Sequence, residues 1–226
     1  MAATRTRAVT PRSPASRWRR RKTERPTEIV SAALELFVER GFSATRLEDV
    51  ATRSGVSKGT LYLYFDSKEA LLRAVVQELV LPELARAEQI VAQHQGSSAE
   101  LLRRLIDQWW SVVGETRLCG IPKLVTGEAG NFPEIGRFFV RHVVRRGRRL
   151  FAHVLKRGIE RGEFAALDVN YGARLLVAPL VFAAIWECSL KRYDTEPYDA
   201  RRFIRTHIDT FLAAHCAAPA ARRRRA

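Results

Sequence analysis

Residues 45–71 read TRLEDVATRSGVSKGTLYLYFDSKEAL, and this stretch decides the fold of the N-terminal part of the chain. Ala51, Gly55 and Leu61 have the spacing of a helix-turn-helix. The two helices of this motif cross at a steep angle, which requires a small residue at their contact (Ala51). The turn between them requires a positive φ (Gly55), and the second helix requires an apolar side chain that anchors it in the core (Leu61). The stretch therefore predicts two short helices that leave the outer face of the second one exposed.

Hydroxyl and carboxyl residues mark the predicted helix starts around this turn. Thr45 and Asp66 each precede a glutamate by three residues, which is the pattern of a capping box. Ser57 is placed to cap the helix between them. We therefore expect helices to begin near these three residues, and the last of them to be long and to end near Gln93.

The rest of the chain shows helical periodicity and almost no strand signal. A first helix is predicted from about Glu24 to Arg40, with Pro26 in its first turn and Gly41 just beyond its end. Further helices are expected over residues 99–115, 120–130, 132–162, 168–190 and 197–215. The predicted fold class is all-α.

The outer face of the segment Ser57–Tyr64 carries basic, hydroxyl and aromatic groups and no acid. An α-helix fits the major groove of B-DNA, so this face predicts a recognition helix. Gly59 has no side chain, which permits a close approach between backbone and DNA. Tyr64 suits the protein core equally well, and both interpretations stay open. The outer-face residues are Ser57, Lys58, Gly59, Thr60, Tyr62 and Tyr64.

The charge of the chain is concentrated in two tails. The formal net charge is +15, from 39 basic and 24 acidic residues. Residues 1–22 hold eight basic residues and no acid, and residues 222–225 are four arginines. Such tails suit contact with phosphate backbones, although they can equally serve solubility. We expect residues 1–22 to be a disordered basic arm and residues 217–226 a basic tail.

Several functional classes find no support in the sequence. There is no P-loop, G-x-G-x-x-G, H-E-x-x-H or nucleophile elbow, so we expect no enzyme and no cofactor. Cys119, Cys188 and Cys216 are isolated and the histidines are scattered, so neither a disulfide nor a metal site is expected, and a reducing cytoplasm fits. No run of about 18 apolar residues exists, so no membrane span or membrane partner is expected.

The run Val56–Leu71 closely resembles the signature of the TetR family of bacterial transcriptional regulators. Residues 32–42, AALELFVERGF, resemble it as well, and the resemblance extends over about residues 24–72. It implies a cytoplasmic homodimer, associated with the nucleoid when bound to a palindromic operator in double-stranded DNA. Leu63 departs from the family pattern, which often has histidine or another polar residue there.

The resemblance also implies roles for individual residues. Lys58, Thr60 and Tyr62 lie where family members touch bases or adjacent phosphates. Four further positions, where family members touch phosphates, are Thr45, Arg46, Tyr64 and Lys68. The implied domains are a helix-turn-helix DNA-binding domain over residues 23–68 and a helical ligand-binding and dimerisation bundle over residues 69–216.

The second domain is expected to hold both a subunit interface and an effector pocket. The segment 168–190 is apolar on nearly all sides, as a helix buried in an interface would be. Large aromatic side chains favour an apolar or aromatic effector, although they fill ordinary cores as well, and His142 is as compatible with a structural role. The candidate ligand-binding residues are Trp109, Trp110, Val113, Phe138, Phe139, His142, Phe182 and Trp186.

The basic tails leave one alternative open. A basic protein that binds nucleic acid or anionic membranes without sequence preference would need such tails, but it would not need the helix-turn-helix scaffold. We therefore expect a sequence-specific regulator, and a repressor in particular.

Overall fold

The computed structural model describes residues 14–216, and the surroundings of side chains from residue 26 onward. These residues form helices and no β-strand; an isolated β-bridge pairs Phe164 with Cys216. The α-helices are α1 Pro14–Arg40, α2 Leu47–Arg53, α3 Lys58–Tyr64, α4 Lys68–Val75, α5 Leu81–Gln93, α6 Ser98–Trp109, α7 Gly120–Glu128, α8 Pro133–Phe139, α9 Arg145–Glu160, α10 Val169–Ser189 and α11 Ala200–His215.

Short turns of other helical types join some of these helices. π-Helical turns connect α4 to α5 (Val76–Val80), extend α6 (Trp110–Gly114) and connect α8 to α9 (Val140–Val144). The 3-10 turns are Arg117–Cys119 and Lys191–Tyr193. The all-α prediction is confirmed, and the expected helices from residue 66 onward correspond to these elements.

The first helix begins ten residues before the predicted start at Glu24. Pro14 occupies its first position, where a missing N–H leaves no hydrogen bond unmade, and the alanine, arginine and lysine residues that follow favour helix. The expectation of a disordered arm was therefore wrong for residues 14–22. Residues 1–13 and the expected tail at 217–226 lie outside the described residues.

The helix-turn-helix is confirmed in its geometry. Gly55 has φ +67° and Gly41, after α1, has φ +88°, both in the left-handed region that favours glycine. Ala51 and Leu61 are buried at the contact between α2 and α3. Leu61 anchors α3 so that its other face remains outside the core.

The helix caps differ in part from the predicted ones. Ser57 caps α3 as expected, its Oγ accepting a hydrogen bond from the backbone N–H of Thr60 at 3.1 Å. Ser67 rather than Asp66 caps α4. The predicted cap at Thr45 was wrong, because α2 begins two residues later and Arg46 is its N-cap.

Two apolar cores divide the molecule. The first joins α1–α4 to the buried faces of α7 and α8, through Ile121, Leu124 and Ile135. The second is built from α6, α9, α10 and α11. Helix α7 thus packs against the group formed by α1–α4, although it follows α5 and α6 in the chain.

Helix α10 is apolar on nearly all sides, as the sequence predicted. Among the described helices it is the one long and apolar enough, by length and composition alone, to cross a membrane, although polar residues interrupt its apolar run. One face, including Leu176 and Leu180, is fully buried in the second core. The opposite face exposes Tyr171, Leu175 and Phe182, with 67%, 62% and 58% of their surfaces accessible.

Candidate nucleic-acid interface and effector region

The free face of α3 presents the side chains that the sequence assigned to it. Lys58 and Gly59 are exposed, and Tyr62 and Tyr64 keep 43% and 36% of their surfaces accessible. Leu63 is 85% exposed and therefore contributes nothing to the core of the subunit. The face is thus built from chemically varied groups that are available to a partner.

Two hydroxyl residues at the start of α3 are linked to each other. Ser57 Oγ and Thr60 Oγ1 lie 2.8 Å apart, in addition to the capping bond. Thr60 is half-buried, whereas Ser57 is exposed. These bonds fix the first turn of α3, which carries Lys58 and Gly59.

Glu48 of α2 faces this surface and was not among the predicted site residues. Its carboxylate lies 2.6 Å from Lys58 Nζ and accepts a hydrogen bond from the Tyr62 hydroxyl at 3.5 Å. The Lys58 ammonium lowers the pKa of Glu48, and Glu48 in turn raises the pKa of Lys58. The sequence placed Glu48 in a capping box, and nothing in its spacing indicated a contact with α3.

Thr45 does not offer its side chain to DNA. The residue is 1% exposed, and its hydroxyl donates to the carbonyl oxygens of Gly41, at 2.7 Å, and Leu36, at 3.2 Å. It fastens the end of α1 to the turn before α2. This burial corrects the expectation of a phosphate contact through the Thr45 hydroxyl.

Arg46 and Lys68 lie on either side of the same turn. Arg46 is exposed, and its backbone N–H donates to Asp49 Oδ2 at 3.4 Å. Lys68 Nζ donates to the carbonyl oxygens of Phe42 and Ser43, at 2.9 and 3.0 Å, and lies over the Phe42 ring. The ammonium has three protons, so one N–H of Lys68 remains for a phosphate.

The eight candidate effector residues lie in several parts of the second domain and its border with the first core. Trp110 lines the cavity described below, while Trp109 and Val113 pack against the second core. Phe139 packs against the first core. The other four form two ring contacts: Phe138 with the exposed His142 at 4.6 Å, and Phe182 with Trp186, both on α10, at 6.0 Å.

The cavity beside Trp110 has a volume of about 630 Å³ and opens to solvent between α6, α10 and α11. Trp110 and Tyr198 give it aromatic walls. Burial, followed by the nearby Glu187 and Asp199 carboxylates, raises the pKa of Tyr198. The charged lining residues are Glu115, Glu187, Lys191, Asp199 and Arg201.

Ion pairs balance much of the charge in this lining. Arg201 donates two hydrogen bonds to the carboxylate of Glu115, and Lys191 Nζ lies 2.7 Å from Glu187 Oε2. Asp199 caps α11 by accepting from the Arg202 N–H at 3.0 Å. The cavity therefore combines aromatic surface with fixed charges, and is more polar than the apolar pocket that the sequence suggested.

Cys119 and Cys188 meet at this cavity. The structure joins them as a disulfide across 69 residues of chain, with their Cα atoms 6.2 Å apart. This corrects the expectation that no disulfide would form. Pairing between residues so far apart in sequence depends on the packing of α7 against α10, which spacing alone does not reveal.

An ionic cluster ties the segment before Cys119 to helices α1 and α2. Arg117 lies 3.4 Å from Glu39 and 3.5 Å from Glu35, both on α1. Arg53 of α2 binds the same two carboxylates, at 3.0 Å for Glu35 and 3.2 Å for Glu39. The effector region and the helix-turn-helix thus share one pair of carboxylates.

A close apolar contact lies next to this cluster. The backbone of Gly120, the first residue of α7, approaches the side chain of Val38 on α1, and a Cβ at Gly120 would overlap that side chain. Within the described residues, this places the start of α7 directly on the last turns of α1.

The fold and the free α3 face define a helix-turn-helix DNA-binding regulator with a second helical domain. Two family models match the chain: bacterial regulatory proteins of the tetR family over residues 29–75, and the C-terminal domain of AefR-like transcriptional repressors over residues 100–217. The second match alone spans more than half of the chain. The chain therefore belongs to the TetR family and is a DNA-binding transcriptional repressor.

Curated relatives agree with this assignment. The HTH-type transcriptional repressor KstR2 of Rhodococcus jostii is 28% identical over 167 residues, which cover 73% of this chain and 80% of the relative. The fatty acid metabolism regulator protein of Bacillus subtilis is 25% identical over 178 residues, covering 76% and 90%. These relatives are regulators and not enzymes.

Solved structures show the same fold. The TetR family regulator PfmR of Thermus thermophilus is 26% identical, with a TM-score of 0.66 over 82% of this chain and 97% of that one. FadR of Bacillus subtilis, solved in complex with stearoyl-CoA, is 19% identical, with a TM-score of 0.67 over 83% and 97%. The latter likeness bears on the fold alone.

Proposed function

We propose that this protein is a homodimeric repressor that binds a palindromic operator through α3 and leaves it when a small molecule binds. The exposed face of α3 carries this proposal, because Leu61 holds the helix in the core while Lys58, Gly59 and Tyr62 remain free for a partner. In that role the protein acts in the cytoplasm, at the nucleoid when bound to DNA.

The proposed DNA contacts follow the exposure of each group. Bases and nearby phosphates are read by the outer face of α3, and phosphates are held by Arg46 and by the remaining N–H of Lys68. The Thr45 hydroxyl is left out because it is buried and already donates to carbonyl oxygens. The α3 contacts are Ser57, Lys58, Gly59, Thr60, Tyr62 and Tyr64.

The proposed subunit interface is the exposed apolar face of α10 together with α11. Tyr171, Leu175 and Phe182 lie on one side of α10, and Phe203 of α11 is 37% exposed. Exposed apolar side chains aligned in this way mark a surface that is buried by a partner. A second copy of the chain would bury it and set two α3 helices about one helical turn of DNA apart.

The proposed effector joins an aromatic or apolar part to a polar group. Trp110 and Tyr198 would contact the first part, and the charged rim of the cavity the second. The stearoyl-CoA in the FadR structure is a molecule that combines an apolar chain with a polar head group. The ligand shifts the protein away from operator binding only by its differential affinity for the two conformations.

Selection of bound duplexes from a random DNA library tests the DNA-binding part of this proposal. The full chain is compared with a Lys58→Ala/Thr60→Ala/Tyr62→Ala variant. A control variant, Lys156→Ala/Thr126→Ala/Tyr193→Ala, removes the same three residue types from exposed positions outside α3. An inverted repeat enriched by the first and third proteins but not by the second supports the proposal.

The opposite outcome would count against it. Equal recovery of unselected sequences by all three proteins would mean that basic charge alone binds DNA, and the alternative of a non-specific binder would then hold. With an operator in hand, release by acyl-CoA thioesters of different chain lengths, measured by fluorescence anisotropy, tests the proposed effector class. Release that is unaffected by Trp110→Ala would move the effector away from this cavity.

A further inference from the structure

We propose that Cys119 and Cys188 form a reversible dithiol–disulfide site through which peroxide or disulfide oxidants control operator binding. The inference rests on the proposed function as an operator-binding repressor. It assigns to that function a chemical input that is separate from the effector. The position of the two sulfurs, their access to solvent, and the contacts of the segment that carries Cys119 all support it.

The backbones of the two cysteines are close enough for a disulfide bond. The Cα–Cα distance of 6.2 Å lies within the usual range for disulfides. After reduction, the carbonyl oxygen of Ala184, which lies 2.9 Å from Cys188 Sγ, is placed to accept a hydrogen bond from the Cys188 thiol.

Solvent access distinguishes this pair from cysteines buried in a core. Both residues are half-buried, and Cys119 lines the open cavity. A small oxidant can therefore reach the Cys119 sulfur from solvent. Cys216, the third cysteine, is exposed and is not paired in the described part of the chain, so it is replaced by serine in the test below.

A DNA-bound regulator acts in the cytosol, where the dithiol is the resting form. Cytosolic reductants keep thiols reduced, so disulfides there are usually transient or redox-sensing. An oxidant pulse would convert the pair to the disulfide, and a dithiol reductant would restore it by thiol–disulfide exchange. The site would then report the oxidation state of the cell.

Peroxide oxidation of the pair balances in two steps. The Cys119 thiolate attacks one peroxide oxygen and breaks the O–O bond, which gives a sulfenic acid and a hydroxide that is protonated to water. The Cys188 thiolate then attacks the Cys119 sulfur, forms the S–S bond and displaces a second hydroxide, also protonated to water. The two sulfurs together lose two electrons, and these reduce the peroxide to water.

The disulfide acts on the segment that touches the DNA-binding head. Arg117, two residues before Cys119, contacts Glu35 and Glu39 on α1. An S–S bond therefore ties α10, the proposed interface helix, to the segment that holds α1. The bond restricts movement of the DNA-binding head, residues 26–75. Two α3 helices need this movement to match the spacing of the DNA grooves, so the oxidised form should bind the operator more weakly.

The test uses the full chain with Cys216→Ser as the parent, which prevents cross-linking through the exposed thiol. Alkylation followed by mass measurement counts free thiols after treatment with dithiothreitol or hydrogen peroxide. Fluorescence anisotropy gives operator affinity for the same samples. Peroxide should remove both alkylation sites and weaken operator binding by about tenfold, as expected for a typical coupling between sites, and dithiothreitol should restore both.

Single-cysteine variants distinguish the effect of disulfide formation from general damage by peroxide. Cys119→Ser and Cys188→Ser, each in the parent, should keep their operator affinity after peroxide treatment. In Cys188→Ser the Cys119 sulfenic acid should be trapped by dimedone. An unchanged thiol count in the parent overturns the site itself. A disulfide that forms without any change in operator affinity overturns its regulatory role.

Failure of the proposed function would be recognised separately. The thiol count needs no DNA, whereas operator binding by the reduced parent does not need the disulfide. A reduced protein without sequence preference would refute the operator-binding function, and the alkylation result would still decide whether the pair forms.

Discussion

The Nζ atom of Lys58 lies 2.6 Å from Oε1 of Glu48, so the helix before the recognition helix supplies a counterion to its first cation. In the proposed operator complex, DNA phosphates compete with this carboxylate for Lys58. A carboxylate facing DNA also repels phosphates, and it is tolerated next to a base only where a donor such as the amino group of cytosine faces it. Glu48 is thus placed to weaken the binding of α3 to phosphates in general, relative to its binding to a specific base sequence.

Glu48→Gln should strengthen binding to random-sequence DNA and reduce the ratio of operator to non-specific affinity. The change frees Lys58 and removes a repulsive charge, so the slope of log affinity against log salt should steepen by up to about 0.9. Anisotropy titrations over a salt series measure both quantities. Glu160→Gln, at an exposed position on α9, makes the same change in net charge and should leave the ratio unchanged. Equal effects of the two variants would contradict a local role for Glu48.

Thr45→Val should destabilise the protein by about 1–3 kcal/mol, because the carbonyl oxygens of Leu36 and Gly41 lose the hydroxyl proton that they share. Urea unfolding measures the change. Thr45→Ser keeps the hydroxyl and should recover most of the loss. If Thr45→Val kept full stability but lost operator affinity with a shallower salt slope, the hydroxyl would have to be reassigned to a phosphate.

Gly59→Ala should separate stability from DNA binding. A Cβ at Gly59 meets open space apart from Ser57 Oγ at 4.0 Å, and alanine favours helix by up to about 1 kcal/mol over glycine. We expect equal or higher stability together with weaker operator binding, since a methyl group would stand between backbone and DNA. Unchanged operator affinity would show that this part of α3 stays clear of the duplex.

Gly55→Ala provides the contrasting case. Its φ of +67° is unfavourable for alanine, so this variant should lose about 1–2 kcal/mol of stability although there is open space for the methyl group. Thermal and urea unfolding of the two glycine variants, run side by side, measure the difference. Similar stabilities for both would contradict the assigned role of Gly55 in the turn.

The Glu88–Arg146 pair between α5 and α9 should make stability depend on pH. Arg146 Nε and Nη2 lie 2.5 and 2.6 Å from the two carboxylate oxygens, and these bonds lower the pKa of Glu88 from its usual 4.5. A lowered folded-state pKa means that the pair stabilises the protein above pH 4.5, and that this contribution is lost as the pH falls through the folded-state pKa.

Glu88→Gln should therefore be less stable than the parent near neutral pH, and the difference should shrink on acidification. Urea midpoints measured across the acid range give this difference. Glu160→Gln serves as the matched control and should differ little from the parent at any pH, since its ion pair with Lys156 is exposed. A difference for Glu88→Gln that grows at low pH would contradict the assigned pKa direction.

The sequence predicted those parts of the structure that depend on neighbours along the chain. Ala51, Gly55 and Leu61 act within one supersecondary unit, so their spacing, together with the capping residues and the run Val56–Leu71, predicted the helix-turn-helix. The role of Ser57 as the N-cap of α3 was predicted in the same way, because a cap depends only on residues next to it in the chain. The helices beyond residue 66 were predicted from periodicity and from the glycine and proline residues between them.

Contacts between distant segments were the part that the sequence did not reveal. Thr45 has the residue type of a cap, but the carbonyl groups that claim its hydroxyl belong to the end of α1. The Cys119–Cys188 pair depends on how α7 lies against α10. The aromatic candidates for the effector pocket separate between two cores, a division that composition does not encode.

The absence of a side chain at Gly120 has a genetic consequence. Valine is a stiff side chain, so any residue larger than glycine would act as a wedge between α7 and the last turns of α1, at Val38. In the proposed repressor, such a substitution should push the DNA-binding head away from α7 and weaken operator binding. The genes under its control should then be expressed without an inducer.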